Sequence, residues 1–369
     1  MRLWLAGLAL LFCPVVFAQQ SAPEIPFDSV PNIPDMNSLP PNIFMGEGAA
    51  VTTNSKGHIF VFSRGNTTGP AYAAQASQLL EFGPDGKFIR EIGHNLYGFA
   101  FAHGVRADKY DNIWTVDKGT DMIVKFNPAG RPTMVFGRRQ EASDEGTGPL
   151  KHPNPPLPAQ DMQFRQPTDV TFDAADNVYI SDGYINSRVA KIDKNGVWVK
   201  QWGDRGAAPG QFNSAHNITS DAEGNIYVAD RSNRRIQVFD GDGKFLRQFQ
   251  VDVPFDPAIR SVIGNTPPSG PLNLPGAPWV VCIPPKVGGQ EQVLYTADSY
   301  PGRVYKLSLD GKVLGVLGQA GRLPKQFGWI HGMACPSENV LFVAEAINWR
   351  VQKLILHPKG EMKMKKSPN

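Results

Sequence analysis

The sequence predicts an all-β chain whose four-stranded units close radially into a six-bladed β-propeller. Three observations carry this expectation. A unit recurs with a period of about forty residues. Short apolar runs are separated by Asp-Gly, Asp-Asn or Gly-Asn turns, the punctuation of hairpins. The composition, with 37 Gly and 32 Pro, favours strands and turns over helices. The 369 residues would fit two ordinary domains, but a closed all-β architecture uses such a length as one.

In chain order, residues 1–18 read as a secretory signal peptide. Arg2 gives a short positive region, Leu3 to Phe17 an apolar stretch, and Val16-Phe17-Ala18 a small-residue cleavage site. The stretch is short for a membrane span and has no stop-transfer flank, so a secreted or periplasmic protein without a membrane span is expected after cleavage. Residues 19–46, rich in Pro, Asn and Ser, read as an arm lying over the fold or loosely ordered. The propeller occupies 47–356. Residues 357–369 form a basic tail without apolar periodicity.

Within the propeller, the third unit sets the frame. It runs from Gln166-Pro-Thr-Asp-Val-Thr-Phe-Asp173 through Asp176-Asn-Val-Tyr-Ile-Ser-Asp182 and Arg188-Val-Ala-Lys-Ile to Gly196-Val-Trp-Val-Lys-Gln-Trp202. The fourth repeats it as Asn217-Ile-Thr-Ser-Asp221, Gly224-Asn-Ile-Tyr-Val-Ala-Asp230, Arg235-Ile-Gln-Val-Phe239 and Gly243-Lys-Phe-Leu-Arg-Gln-Phe249. Gly57-His-Ile-Phe-Val-Phe-Ser63, Asp111-Asn-Ile-Trp-Thr-Val-Asp117, Leu294-Tyr-Thr-Ala-Asp298 and Glu338-Asn-Val-Leu-Phe-Val-Ala-Glu345 mark units one, two, five and six. A lone blade cannot bury both faces, which demands closure, and no capping repeats for a linear solenoid are visible. Two Pro-rich insertions, 140–163 and 251–271, interrupt the period and are placed to shape one face. Cys282 and Cys335 remain after signal cleavage, and either a disulfide or two buried thiols fits them. A net charge of +3 on 37 basic and 34 acidic residues argues against a nucleic-acid partner.

The repeat register singles out three of the seven histidines. The gapless shift that lays Asn112 on Asn225 lays His103 on His216, and the shift that lays Asp117 on Glu345 lays His103 on His331. This position begins the innermost strand of blades two, four and six, which stand about 120° apart around a six-fold ring. Three imidazoles there face one another at the axis, the arrangement of a three-histidine metal site with an open position. Zinc suits neutral imidazoles, although copper, nickel or iron binds a similar set. A single propeller histidine is more often a hydrogen-bonded core residue; the shared register is what argues otherwise. His58, His94, His152 and His357 lie off that register.

Ser63-Arg64-Gly65, Phe101-Ala-His103, Gln166-Pro-Thr-Asp-Val170, Ser181-Asp-Gly-Tyr184-Ile-Asn-Ser-Arg188, Ala229-Asp-Arg231 and His331 together resemble the catalytic core of peptidyl-α-hydroxyglycine α-amidating lyase, within the NHL-type propellers. The resemblance covers about 47–356. It implies zinc on His103, His216 and His331, a catalytic tyrosine at Tyr184, and active-site arginines at Arg64 and Arg231. The implied reaction cleaves the C–N bond of a carbinolamide to a peptide amide and glyoxylate. On this reading Tyr184 takes the hydroxyl proton, and Arg64 or Arg231 grips the carboxylate. A monomer acting on a small-molecule or peptide substrate is expected.

Several positions depart from the family. Gly332 stands where the family has a carboxylate that helps to bind structural calcium, which argues against that ion here. Ile185 and Arg165 replace one pair of half-cystines, and Tyr227 and Val238 another. Trp329 replaces a methionine that lines the family's site and is expected to touch substrate. Two rival readings are a non-catalytic NHL propeller that binds a protein or glycan, and a calcium-dependent propeller hydrolase, which three axial histidines fit poorly.

Overall fold

A computed structural model describes residues 21–65, 77–140, 145–146, 151–262 and 274–357. The segment expected to be a signal peptide, most of the basic tail and parts of both insertions lie outside the described residues. Six four-stranded antiparallel sheets form a closed ring, so the chain is a six-bladed β-propeller. The innermost strands are Glu47–Thr53, Ala102–Ala107, Asp169–Phe172, Ala215–Ser220, Val280–Cys282 and Ile330–Ser337. Among the described residues, no helix is long and apolar enough to cross a membrane.

Sequence chemistry explains the strand order within a blade. Second strands such as Ile59–Arg64, Val178–Asp182 and Ile226–Asp230 are near-continuous apolar runs because neighbouring blades cover both of their faces, and every residue in them is buried. Fourth strands, such as Phe245–Phe249, alternate between half-buried and exposed residues at the rim. The first hairpin turn is built by an aspartate at a fixed place. Asp108, Asp173 and Asp221 each accept hydrogen bonds from the backbone N–H groups two and four residues on. The turn needs one left-handed residue, supplied by Asp111 (φ 63°), Asp176 (67°) and Gly224 (83°).

Closure is visible in the packing. Each neighbouring pair of blades shares one buried apolar cluster, and the last joins Ala334, Phe342 and Ala344 of blade six to Val51, Ile59 and Leu80 of blade one. Blade six is completed from the other end of the chain. Phe27–Val30 pairs antiparallel with Arg350–Leu356 as the fourth strand. The N-terminal arm therefore closes the ring, and Ile33, Met36, Leu39 and Ile43 continue over the seam between blades six and one.

Cys282 and Cys335 form a disulfide between the innermost strands of blades five and six, with their Cα atoms 6.1 Å apart. Arg188, Arg235 and Arg350 pair with Asp182, Asp230 and Glu345 of their own blades, and each also donates to carbonyls in the segment arriving from the previous blade. Arg303 likewise donates to the carbonyls of Val253 and Pro254.

Candidate metal centre

One backbone device aims the histidines at the axis. In blades one, two, four and six, the pairing of the innermost strand with the second strand slips by one residue. Pairing passes from Ala102↔Asp117 to Gly104↔Val116, from Ala215↔Asp230 to Asn217↔Ala229, and from Ile330↔Glu345 to Gly332↔Ala344. The extra residue at each bulge is His103, His216 or His331, and in blade one it is Ala49. A bulged residue leaves the alternation of the strand and turns its side chain out of the sheet.

The three rings converge, with centroids 4.8, 4.8 and 5.0 Å apart and ligand-capable nitrogens all within 4.8 Å of one another. Each Nδ1 lies against the main-chain carbonyl of the matching residue in the next blade: His103 on Thr168 (2.7 Å), His216 on Trp279 (2.7 Å) and His331 on Ala49 (2.8 Å). A carbonyl only accepts, so each Nδ1 carries the hydrogen and each Nε2 turns its lone pair inward. Burial pushes all three imidazoles well below their usual range. His331 and Arg64 add to this at His103, Arg231 at His216, and Arg64 at His331. The Nε2 of His216 is buried without a hydrogen-bond partner. Three neutral, preset nitrogen donors with an orphaned acceptor among them fit a borderline metal such as zinc.

The other sequence-predicted site residues gather around this triangle. Tyr184 Oη lies 3.2 Å from His103 Nε2 and accepts a hydrogen bond from Arg231 Nη1 at 3.3 Å. Burial alone would raise the phenol, but Arg231, Lys118 and Arg64 outweigh it and hold it below its usual 10.0. Tyr184 reaches the axis because Gly183 lies against the next blade, where a Cβ would stand 1.9 Å from the Ala215 carbonyl oxygen. Arg64 donates to Glu47 at 2.9 Å and to the Ala102 carbonyl at 2.7 Å, and its Nη2 approaches His331 Nε2 at 3.3 Å. The guanidinium of Arg231 stacks over Trp279, 4.1 Å from the ring centroid. Trp329 is half-buried, and its ring packs edge-on to Trp279 at 4.9 Å, one residue removed from the histidines.

Sequence reasoning missed Lys118, which faces the same space. Its Nζ lies 4.3 Å from the Tyr184 ring centroid and 5.0 Å from that of Phe101. The register that found the histidines also holds it: Arg64, Lys118 and Arg231 share one place at the end of the second strand, directly after Ser63, Asp117 and Asp230.

Beyond the histidines, the channel is held by a side-chain cation. Arg106 donates to Asp169 (2.6 Å), Asn217 (3.2 Å) and the carbonyls of Ile218 (3.3 Å), Val281 (3.4 Å) and Met333 (3.5 Å), which joins blade two to blades three through six. At Gly332 a Cβ would stand 2.6 Å from the Ala50 Cα, leaving no room for a carboxylate. The oxygens here already serve a guanidinium, so the residues do not fit the calcium of the resembling family.

Comparison with known proteins agrees with the fold. The NHL repeat family matches residues 212–239. The chain is 31% identical over 237 residues to peptidyl-glycine alpha-amidating monooxygenase A of Xenopus laevis, covering 57% of this chain and 23% of that protein. It is 27% identical over 274 residues to peptidyl-alpha-hydroxyglycine alpha-amidating lyase 1 of Drosophila melanogaster, covering 63% and 47%. The chain therefore spans less than half the length of either relative. A solved virginiamycin B lyase from Staphylococcus aureus superposes with a TM-score of 0.51 at 12% identity over 90% of this chain and all of that one, a likeness of fold alone. The chain is thus a six-bladed propeller with an NHL-repeat match in its fourth blade and an axial cluster of three histidines. Among the proteins it is similar to are ones named peptidyl-α-hydroxyglycine α-amidating lyase.

Proposed function

We propose that the chain is a zinc-dependent lyase that cleaves the C–N bond of a peptidyl-α-hydroxyglycine, or a similar carbinolamide, to an amide and glyoxylate. The observation that carries this reading is the meeting of three inward Nε2 atoms with the Tyr184 hydroxyl, 3.2 Å from one of them, and with Arg231 on that hydroxyl. His103, His216 and His331 would hold the metal, which when bound supplies a Lewis acid that acidifies the carbinol.

The remaining work falls to the chain's own side chains. Tyr184, whose phenolate form Arg231, Lys118 and Arg64 favour against burial, takes the carbinol proton as the base. The O–H electron pair becomes the new C=O bond of glyoxylate, the C–N bond breaks with its electron pair on nitrogen, and the proton held by Tyr184 passes to the departing amide nitrogen. Arg231, which has no carboxylate partner among the described residues, orients the substrate carboxylate; Arg64, already paired with Glu47, supports it. Trp329 and Trp279 offer an apolar wall beside the histidines for the acyl half.

The test is elemental analysis of the purified protein, followed by glyoxylate release from an α-hydroxyhippurate-type substrate. About one zinc per chain is expected, with turnover abolished in His216→Ala. A metal-free protein, or activity that survives both His216→Ala and Tyr184→Phe, would overturn the reading and leave a binding propeller.

A further inference from the structure

Lys118 joins Arg64 and Arg231 at one repeat register, so three blades each project a cation over the ring of histidines. The three cations are not equivalent. Arg64 is neutralised by Glu47 at 2.9 Å. Among the described residues Arg231 has no carboxylate partner, and its Nε is buried without a hydrogen-bond partner. Lys118 is half-buried and, among the described residues, its Nζ makes no hydrogen bond or ion pair, only ring contacts with Tyr184 and Phe101. Tyr184 lies between the two uncompensated cations, with Arg231 at 5.4 Å and Lys118 at 4.3 Å from its ring centroid. A desolvated cation is stable only with a partner. One substrate carboxylate satisfies Arg231, and once Tyr184 has taken the carbinol proton and is neutral, Lys118 is left without an anion.

We propose that Lys118 is a substrate-contacting residue that, together with Arg231, makes the pocket select a doubly charged anion: an α-hydroxyglycine whose acyl half carries a second acidic group beside the scissile bond. The inference deepens the lyase reading and rests on it for the place of the first carboxylate.

The experiment measures binding without turnover, by calorimetry on the protein as purified, with succinate and butyrate as probes of similar length that differ by one charge. Wild type is expected to bind succinate about tenfold more tightly than butyrate. Lys118→Gln should erase that preference, and Lys118→Arg should restore most of it, which a merely structural lysine would not do. Circular dichroism melts check that both variants fold. A wild type that does not discriminate, a preference unchanged in Lys118→Gln, or an equal weakening of both probes in that variant would each overturn the second-anion site. A failure of glyoxylate release leaves this binding result untouched, so the two readings fail separately.

Discussion

Replacing Tyr184 with Phe removes one oxygen and keeps the ring. In the fold the ring stands edge-on to His103 and His216, with centroids 5.5 and 5.8 Å away, and these contacts survive the substitution. What is lost is the oxygen 3.2 Å from His103 Nε2 and the acceptor for Arg231. Loss of one neutral hydrogen bond and of one from a charged donor costs about 2–4 kcal/mol of stability, so the melting transition should fall while the fold persists. The three histidines are untouched, so zinc content should equal that of wild type. Removing a positioned general base lowers turnover by about 10²–10⁴-fold, or about 3–5 kcal/mol in the barrier. Glyoxylate release under saturating substrate, with metal content measured on the same preparation, separates the two effects. In wild type, kcat/KM should rise with pH through a value below 10.0, and this limb should vanish in the variant. Turnover within threefold of wild type at equal zinc would refute the assignment of Tyr184 as the base.

Other perturbations test the frame around the site. Arg106→Ala leaves Asp169 buried without its cation and should destabilise the propeller by about 3–5 kcal/mol in urea melts, whereas added calcium should leave the wild-type transition in place; a midpoint that rises with added calcium would speak for that ion. Reducing the Cys282–Cys335 bond should lower stability by about 2–4 kcal/mol, read from urea midpoints with and without reductant. His152 has Asp121 and Glu145 on its two ring nitrogens, each at 3.1 Å, and although burial opposes its charge they hold its pKa above 6.5. A raised folded-state value gives stability that is complete below 6.5 and fades as pH climbs through that value. Amide protection in 151–163 should therefore be weaker at about pH 9 than at about pH 6; equal protection at both would show that the charge does not anchor this segment.

Much of the architecture was legible because each blade repeats its turn chemistry. Asp108, Asp173 and Asp221 do the same local job, so one blade predicts the next. The histidines were legible for the same reason, since a shared register in alternate blades of a six-fold ring places all three beside the axis. Lys118 was equally available by that shift but lacked a metal-binding side chain to draw notice. Other features depend on distance in space rather than on pattern. Phe27–Val30 has too few residues to announce itself as the missing strand of blade six, over three hundred positions away. Arg106 reads as an ordinary strand arginine until Asp169 and Asn217 are brought beside it. The cysteine pair was undecidable because spacing says nothing about proximity. The bulges depend on how two strands settle against each other, which no single residue specifies.

The hold of each imidazole on the following blade's peptide oxygen makes the propeller a hoop that sets its own bore. Thr168, Trp279 and Ala49 contribute only their main chain to this grip, so side-chain replacement at those sites leaves it intact, while any slippage between neighbouring blades swings a ring away from the centre. Were the proposed ion bound there, its retention would report on the integrity of the entire circle, and a chain whose seam between Phe27–Val30 and Arg350–Leu356 has parted would release it before any blade has unravelled.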